Sequence, residues 1–204
     1  MTESFNPMKS QLNSNHNYNI WSIFLDRDGV INSRFLDEVI DTPDKFKFID
    51  GVKESIAYFS EVFNRIIIVT NQQGIGKKLF TEQDIEQIHR KMLAEIKQEG
   101  GRIDKIYYCP ALKEQNSFYR KPLPGMALKA KKDFPEIEFK RSIMVGDTLS
   151  DMKFGKNLKM ITVFISSDRK QVAQNHFLID YAFESLLDFK VFLKNHIIDS
   201  QNSR

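Results

Sequence analysis

The chain has 204 residues, 41% of them hydrophobic, and a formal net charge of +3. That length fits one compact domain with a sizeable core, and the charge is too weak to argue for a nucleic-acid partner by itself. One cysteine, Cys109, excludes an internal disulfide framework and fits a reducing compartment.

No apolar run reaches the length of a membrane span, and the N-terminus lacks the basic-then-apolar order of a signal peptide. The expectation is a soluble cytoplasmic protein with no membrane partner. Residues 1–19 are polar, rich in Asn and Ser and without periodicity, which predicts a flexible tail. The folded domain is expected over 20–197, with a short tail at 198–204.

Trp21 to Leu25 reads as a short buried strand. It ends in Asp26-Arg27-Asp28-Gly29. In open α/β sheets ligands bind beyond the carboxyl ends of strands, so both carboxylates stand where a ligand arrives. A turn at Gly29 lets carboxylates and a backbone carbonyl converge on a hard cation. The connection 33–50 holds no helix of its own, leaves this point directly and is too short for a folded cap. Val52, Ile56, Phe59 and Phe63 have helical spacing.

Arg65 to Val69 is a β-branched run suited to a parallel strand buried on both faces. It opens into Thr70-Asn71-Gln72-Gln73-Gly74-Ile75-Gly76, a polar, glycine-bearing turn of the kind that binds oxyanions. Thr81 predicts a helix N-cap, with the helix reaching about Gln98 before Gly100 and Gly101. His89 lies within that helix as a surface or packing residue. Ile103 to Tyr108 is a third strand. After a polar loop at 111–119, Arg120-Lys121 precede two prolines and a helix reaching about Asp133, a setting for a phosphate-facing pair of cations.

Ser142 to Val145 is a fourth strand, ending in Gly146-Asp147, with Asp151 four residues on. If the turn is helical, Asp147 and Asp151 share a face. Four carboxylates at the ends of two strands repel one another unless a cation sits among them. All-oxygen ligands with no His/Cys set point to Mg2+. Met160 to Ile165, Asp180 to Phe183 and a final amphipathic helix from Glu184 to about His196 complete an α/β chain, read as a central parallel sheet with helices on both faces.

The ordered set Asp26-Arg27-Asp28-Gly29, Thr70-Asn71, Lys121-Pro122 and Gly146-Asp147 with Asp151 resembles the haloacid-dehalogenase-like (HAD) phosphohydrolases over about residues 20–195. Further phrases, Phe48-Ile49-Asp50-Gly51-Val52, Tyr107-Tyr108-Cys109-Pro110 and Arg120-Lys121-Pro122-Leu123-Pro124-Gly125-Met126, resemble the branch holding the D-glycero-D-manno-heptose 1,7-bisphosphate and histidinol phosphatases. The resemblance implies a Rossmann-like HAD fold without a large cap domain. It implies Asp26 as nucleophile and Asp28 as general acid/base. Thr70 and Lys121 would hold the phosphoryl group, and Mg2+ would rest on Asp26, the Asp28 carbonyl and Asp147. Asp151 would orient Lys121 or a metal-bound water. Asn71, Gln72, Gln73 and Arg120 are the candidate substrate contacts. Members of that branch carry a Cys/His zinc loop before Arg-Lys-Pro; here Cys109 stands without it, so zinc is not expected. The substrate implied is a small phosphorylated metabolite, a heptose bisphosphate first and histidinol phosphate second, with a polynucleotide 3′-phosphate weighed against by the charge. Outside enzymes, a receiver-like phospho-accepting domain or a silent binding domain remains; the former lacks a counterpart of Asp28. A monomer is favoured.

Overall fold

The structure, a computed structural model, describes residues 18–34 and 40–201. Residues 1–17 of the tail expected over 1–19, the stretch 35–39 of the long loop and residues 202–204 lie outside the described residues. Six strands form one parallel sheet: β1 Ser22–Leu25, β2 Arg65–Asn71, β3 Lys105–Cys109, β4 Ser142–Gly146, β5 Ile161–Ile165 and β6 Tyr181–Phe183, in the order β3-β2-β1-β4-β5-β6. The helices are α1 Val52–Val62, α2 Gln73–Gly76, α3 Glu82–Gln98, α4 Gly125–Asp133, α5 Leu149–Asn157, α6 Arg169–Gln174 and α7 Leu186–Gln201.

Strand alternation divides the core into two layers. Ile23 and Leu25 of β1 point into a layer with Ile56 and Phe59 of α1, Ile85 of α3 and Phe189 of α7. Phe24, between them in sequence, points the other way, to Met126 and Ala130 of α4 and Phe154 of α5. Covered on both faces, β1, β4 and β5 are buried along their whole length, which their continuous apolar runs require.

The register fixes where the strands stop. Leu25 lies opposite both Ile68 and Val145. One more rung follows, from Asp26 N–H to the Val145 carbonyl at 2.9 Å. Asp26 therefore leaves β1 level with the end of β4. The strand order reverses between these two strands, which opens the crevice where open α/β sheets hold ligands. Among the described residues no separately folded cap stands over it, and no helix is long and apolar enough to cross a membrane.

Local differences from the sequence reading have plain causes. Tyr18, placed in the tail on composition, is buried, its ring 5.8 Å from Trp21 and 6.1 Å from Phe63. Thr70 and Asn71 belong to β2 rather than the turn, because β3 offers them partners in Tyr108 and Cys109. Helix α6 has no apolar periodicity and starts where Asp168 accepts hydrogen bonds from the N–H groups of Lys170 and Gln171. Helix α7 continues past His196 to Gln201, since no Gly or Pro follows to stop it. Thr81 caps α3 as expected, through a reciprocal box with Asp84.

Candidate active site

Lys121 is nearly inaccessible, and its ammonium lies among three oxygens. Nζ lies 2.9 Å from Asp26 Oδ1 and 2.6 Å from Asp151 Oδ1, and donates to the Val69 carbonyl at 2.7 Å. Burial alone would lower the Lys121 proton affinity, but the Asp151 and Asp26 carboxylates outweigh it and raise it. Burial raises the Asp26 carboxyl; Lys121 opposes that rise, and Asp151, Asp147 and Asp28 add to it.

Each member of this triad is held by a different element. Asp26 follows β1, and its Oδ1 accepts the Arg27 N–H at 2.7 Å. Lys121 is fixed through its backbone: its N–H donates to Asn71 Oδ1 at 3.0 Å, and Asn71 Nδ2 donates to its carbonyl at 3.2 Å. Asp151 sits in the first turn of α5, where its Oδ2 accepts from the Thr148 N–H at 3.0 Å and Oγ1 at 2.5 Å. A Cβ at Gly146 would come within 2.2 Å of the Asp151 Cβ, so only glycine at the end of β4 lets Asp151 approach.

Asp28 faces elsewhere. Arg27 donates to Asp28 Oδ1 at 2.8 Å and Oδ2 at 3.0 Å, Asn32 to Oδ1 at 3.0 Å and Gln72 to Oδ2 at 2.7 Å. Burial would raise this carboxyl, but the Arg27 charge and these hydrogen bonds hold it below the usual carboxylate range. Arg27 is itself fully buried and donates from Nη1 to His89 Nε2 at 3.3 Å. His89 must be neutral to accept; burial, then the Arg27 charge, push its pKa down to about 3. Gln72 also donates to Thr70 Oγ1 at 2.8 Å. The amides of Asn71 and Gln72, read from sequence as substrate contacts, are thus committed to Lys121 and Asp28.

Asp147 lies just before the Thr148 cap, not on the helix, so the shared helical face expected for Asp147 and Asp151 does not form. They converge instead because the chain bends back between β4 and α5. Ligand atoms of Asp26, Asp147 and Asp151 lie within 4.8 Å of one another. Gly29, at φ +88°, makes room: a Cβ there would fall 2.0 Å from Asp147 Oδ2. Burial pushes the Asp147 carboxyl up to about 6, the Arg34 charge opposing. Its Oδ1 is buried and accepts no hydrogen bond. An orphaned carboxylate oxygen inside an all-oxygen donor set fits a hard divalent cation.

Arg34 is the nearest cation on the solvent side. Its Nη2 donates to the Asp28 carbonyl at 3.1 Å, and its Nη1 lies 3.3 Å from Asp147 Oδ2. Beyond the carboxylates the crevice widens to a cleft of about 1020 Å³ whose wall includes Lys77, Lys113, Arg120 and Lys153. Arg120 donates to the Ala111 carbonyl at 2.9 Å and to Gln73 Oε1 at 3.4 Å, tying the 111–119 loop to α2. Cys109 is buried, with Ser117 Oγ 3.8 Å from its sulfur. Arg27, His89 and Arg34 carried no role in the sequence reading. His89 had a signal, lying four residues after Ile85 and three before Met92 on the buried stripe of α3.

A family model described as polynucleotide kinase 3 phosphatase matches residues 21–190. A D-glycero-alpha-D-manno-heptose-1,7-bisphosphate 7-phosphatase of Campylobacter jejuni is 39% identical over 152 residues, 74% of this chain and 84% of that protein. A D-glycero-beta-D-manno-heptose-1,7-bisphosphate 7-phosphatase of Haemophilus influenzae is 33% identical over 85% of this chain and 96% of that protein. The D,D-heptose 1,7-bisphosphate phosphatase of B. bronchiseptica, solved with magnesium and phosphate, superposes with a TM-score of 0.78 at 28% identity, covering 86% of this chain and 98% of that one. With its fold, its strand-end motifs and these matches in agreement, the chain belongs to the haloacid-dehalogenase-like phosphatases.

Proposed function

We propose that this chain is a Mg2+-dependent phosphomonoester hydrolase that removes one phosphate from a D-glycero-D-manno-heptose 1,7-bisphosphate, as a single domain over residues 20–197. The carrying observation is the buried Asp26–Lys121–Asp151 cluster at the β1/β4 crevice, in a chain whose 39%-identical relative is a heptose bisphosphate phosphatase. The free, buried Cys109 supports the cytoplasm as its compartment and gives no footing for zinc.

Asp26 attacks phosphorus through its carboxylate, forming an aspartyl-phosphate and splitting one hard step into two. Asp26, Asp147 and the Asp28 carbonyl would hold Mg2+, which supplies the positive charge that lets a carboxylate approach a phosphate. Lys121, 2.9 Å from Asp26, adds a fixed cation on the same side. Thr70 and nearby N–H groups hold the remaining oxygens. Asp151 aims Lys121 and prevents it from turning away. Asp28 is ionised between Arg27, Asn32 and Gln72, ready to take the proton of the attacking water. Before that, in the first half-reaction, the same carboxyl takes up a proton from solvent as the arriving phosphate dianion raises its proton affinity, and passes that proton to the leaving oxygen. Assistance of this kind contributes roughly 10²–10⁴-fold. Arg120 and the lysines of the cleft wall stand where a second phosphate would lie.

The test is phosphate release from heptose 1,7-bisphosphate, histidinol phosphate, a 3′-phosphorylated oligonucleotide and an aryl phosphate, each with Mg2+ and with a chelator. The heptose bisphosphate should be fastest, lose one phosphate per molecule, and need the metal. Faster release from the oligonucleotide would favour the second reading, a polynucleotide 3′-phosphatase, which the family description supports. Rates no better than the aryl phosphate would remove the metabolite assignment.

A further inference from the structure

The oxygens proposed to hold the divalent cation already have a cationic neighbour. Arg34 Nη2 donates to the Asp28 carbonyl at 3.1 Å and lies 3.9 Å from Asp26 Oδ2, while Nη1 lies 3.3 Å from Asp147 Oδ2. One guanidinium thus spans three acceptors supplied by two strand ends. Its side chain is 41% accessible, against 6% for Asp26 and 16% for Asp147. It approaches from solvent and can leave the same way.

Charge gives this contact a purpose. Asp26, Asp147 and Asp151 crowd three carboxylates around the single ammonium of Lys121. Arg34 neutralises part of the remainder, and its donors match the in-plane oxygens that a cation would bind. A guanidinium and a divalent cation cannot both sit against those oxygens, because like charges at such separations repel strongly in a partly buried site.

We propose that Arg34 is a built-in counter-cation that competes with Mg2+ for the oxygens of the cation cradle and must be displaced for the metal to bind. This rests on the cation site of the proposed function. Loading is then an exchange: the guanidinium swings to the cleft wall as the metal enters. Arg34 sets the apparent Mg2+ affinity and keeps the metal-free carboxylates from repelling one another.

Binding calorimetry with Mg2+ alone, without substrate, tests this on the wild type, Arg34→Ala, Arg34→Gln and Asp147→Asn, alongside thermal unfolding with and without metal. Both Arg34 variants should bind Mg2+ about tenfold more tightly, equivalent to about 1.4 kcal/mol. They should melt at lower temperature than wild type only when metal-free. Unchanged or weaker Mg2+ affinity in both Arg34 variants, with binding intact in wild type and lost in Asp147→Asn, overturns the exchange and leaves the cation site standing. Absence of Mg2+ binding in every protein removes the cation site and the exchange with it.

Discussion

Lys121 and Asp26 form a buried pair, 2.9 Å apart, in which each charge favours the other. Burial raises the proton affinity of Asp26 first of all, and the crowded carboxylates around it add to the rise. Asp26→Asn should therefore separate chemistry from stability. Turnover should fall by roughly 10³-fold or more, with no phosphoenzyme in rapid-quench samples, because an amide is a poor nucleophile. The metal-free melting temperature should hold or rise, because one of three crowded negative charges is gone while Lys121 keeps Asp151 and the Val69 carbonyl. Near-normal turnover in the purified variant would remove Asp26 from its role. Asp26, Lys121 and Asp147 were legible in the sequence because two of them follow apolar strand runs directly and the third opens a proline-marked turn. Arg27 was not, since an arginine between two aspartates looks solvated; only the fold shows Asp28 and His89 meeting its donors inside the protein. Arg34 sits in a loop without periodicity, and nothing in its neighbours signals where the loop returns.

Helix α5 shows what an element contributes to such a pair. Its N-cap box joins Thr148 and Asp151, and the same Asp151 grips Lys121. The cap and the buried ammonium therefore share one carboxylate. Thr148→Ala should cost about 1 kcal/mol in urea unfolding, the usual value of a lost cap. It should also lower kcat about tenfold while leaving KM nearly unchanged, since Asp151 gains freedom without any substrate contact being lost. Thr148→Ser should restore both; a KM effect equal to the kcat effect would mean that Thr148 touches substrate. The Thr-x-x-Asp spacing was readable here, as it was at Thr81, but the i, i+4 spacing of Asp147 and Asp151 suggested a shared helical face instead. Helix α2 escaped the sequence reading for another reason. Its two glycines look like loop, yet a Cβ on Gly74 would lie 2.1 Å from the Phe80 ring, so the glycine serves packing.

Across the whole molecule, the alternation of strands and helices was legible, while the strand order was not: hydrophobic runs mark strands but do not say which pair. The fold also brings α3 against the end of β1, which buries His89 beside Arg27. This contact should shape the acid limb of stability. The folded pKa of His89, about 3, lies below its ordinary 6.5, so the unfolded chain binds a proton that the folded one refuses. The contribution is complete above pH 6.5 and is lost as pH falls towards 3. His89→Gln, which keeps an acceptor for Arg27 but does not titrate, should flatten the loss of unfolding free energy between pH 6.5 and 5 by up to about 1.4 kcal/mol per pH unit. An unchanged slope would show that His89 is protonated in the native protein. At this scale the crevice also divides by origin. Its clustered carboxylates hang from β1, β4 and the first turn of α5, a helix that also carries Lys153, whereas Lys77, Lys113 and Arg120 of the cleft wall hang from the end of α2 and the segment 111–120. The Asn71 clamp on the Lys121 backbone isolates one from the other, because it fixes the lysine without help from the loop before it. Insertions and deletions in that loop can then accumulate over a lineage without retuning the chemistry, so descendants of one phosphatase can drift to new leaving groups while the phosphoryl-transfer apparatus is inherited intact.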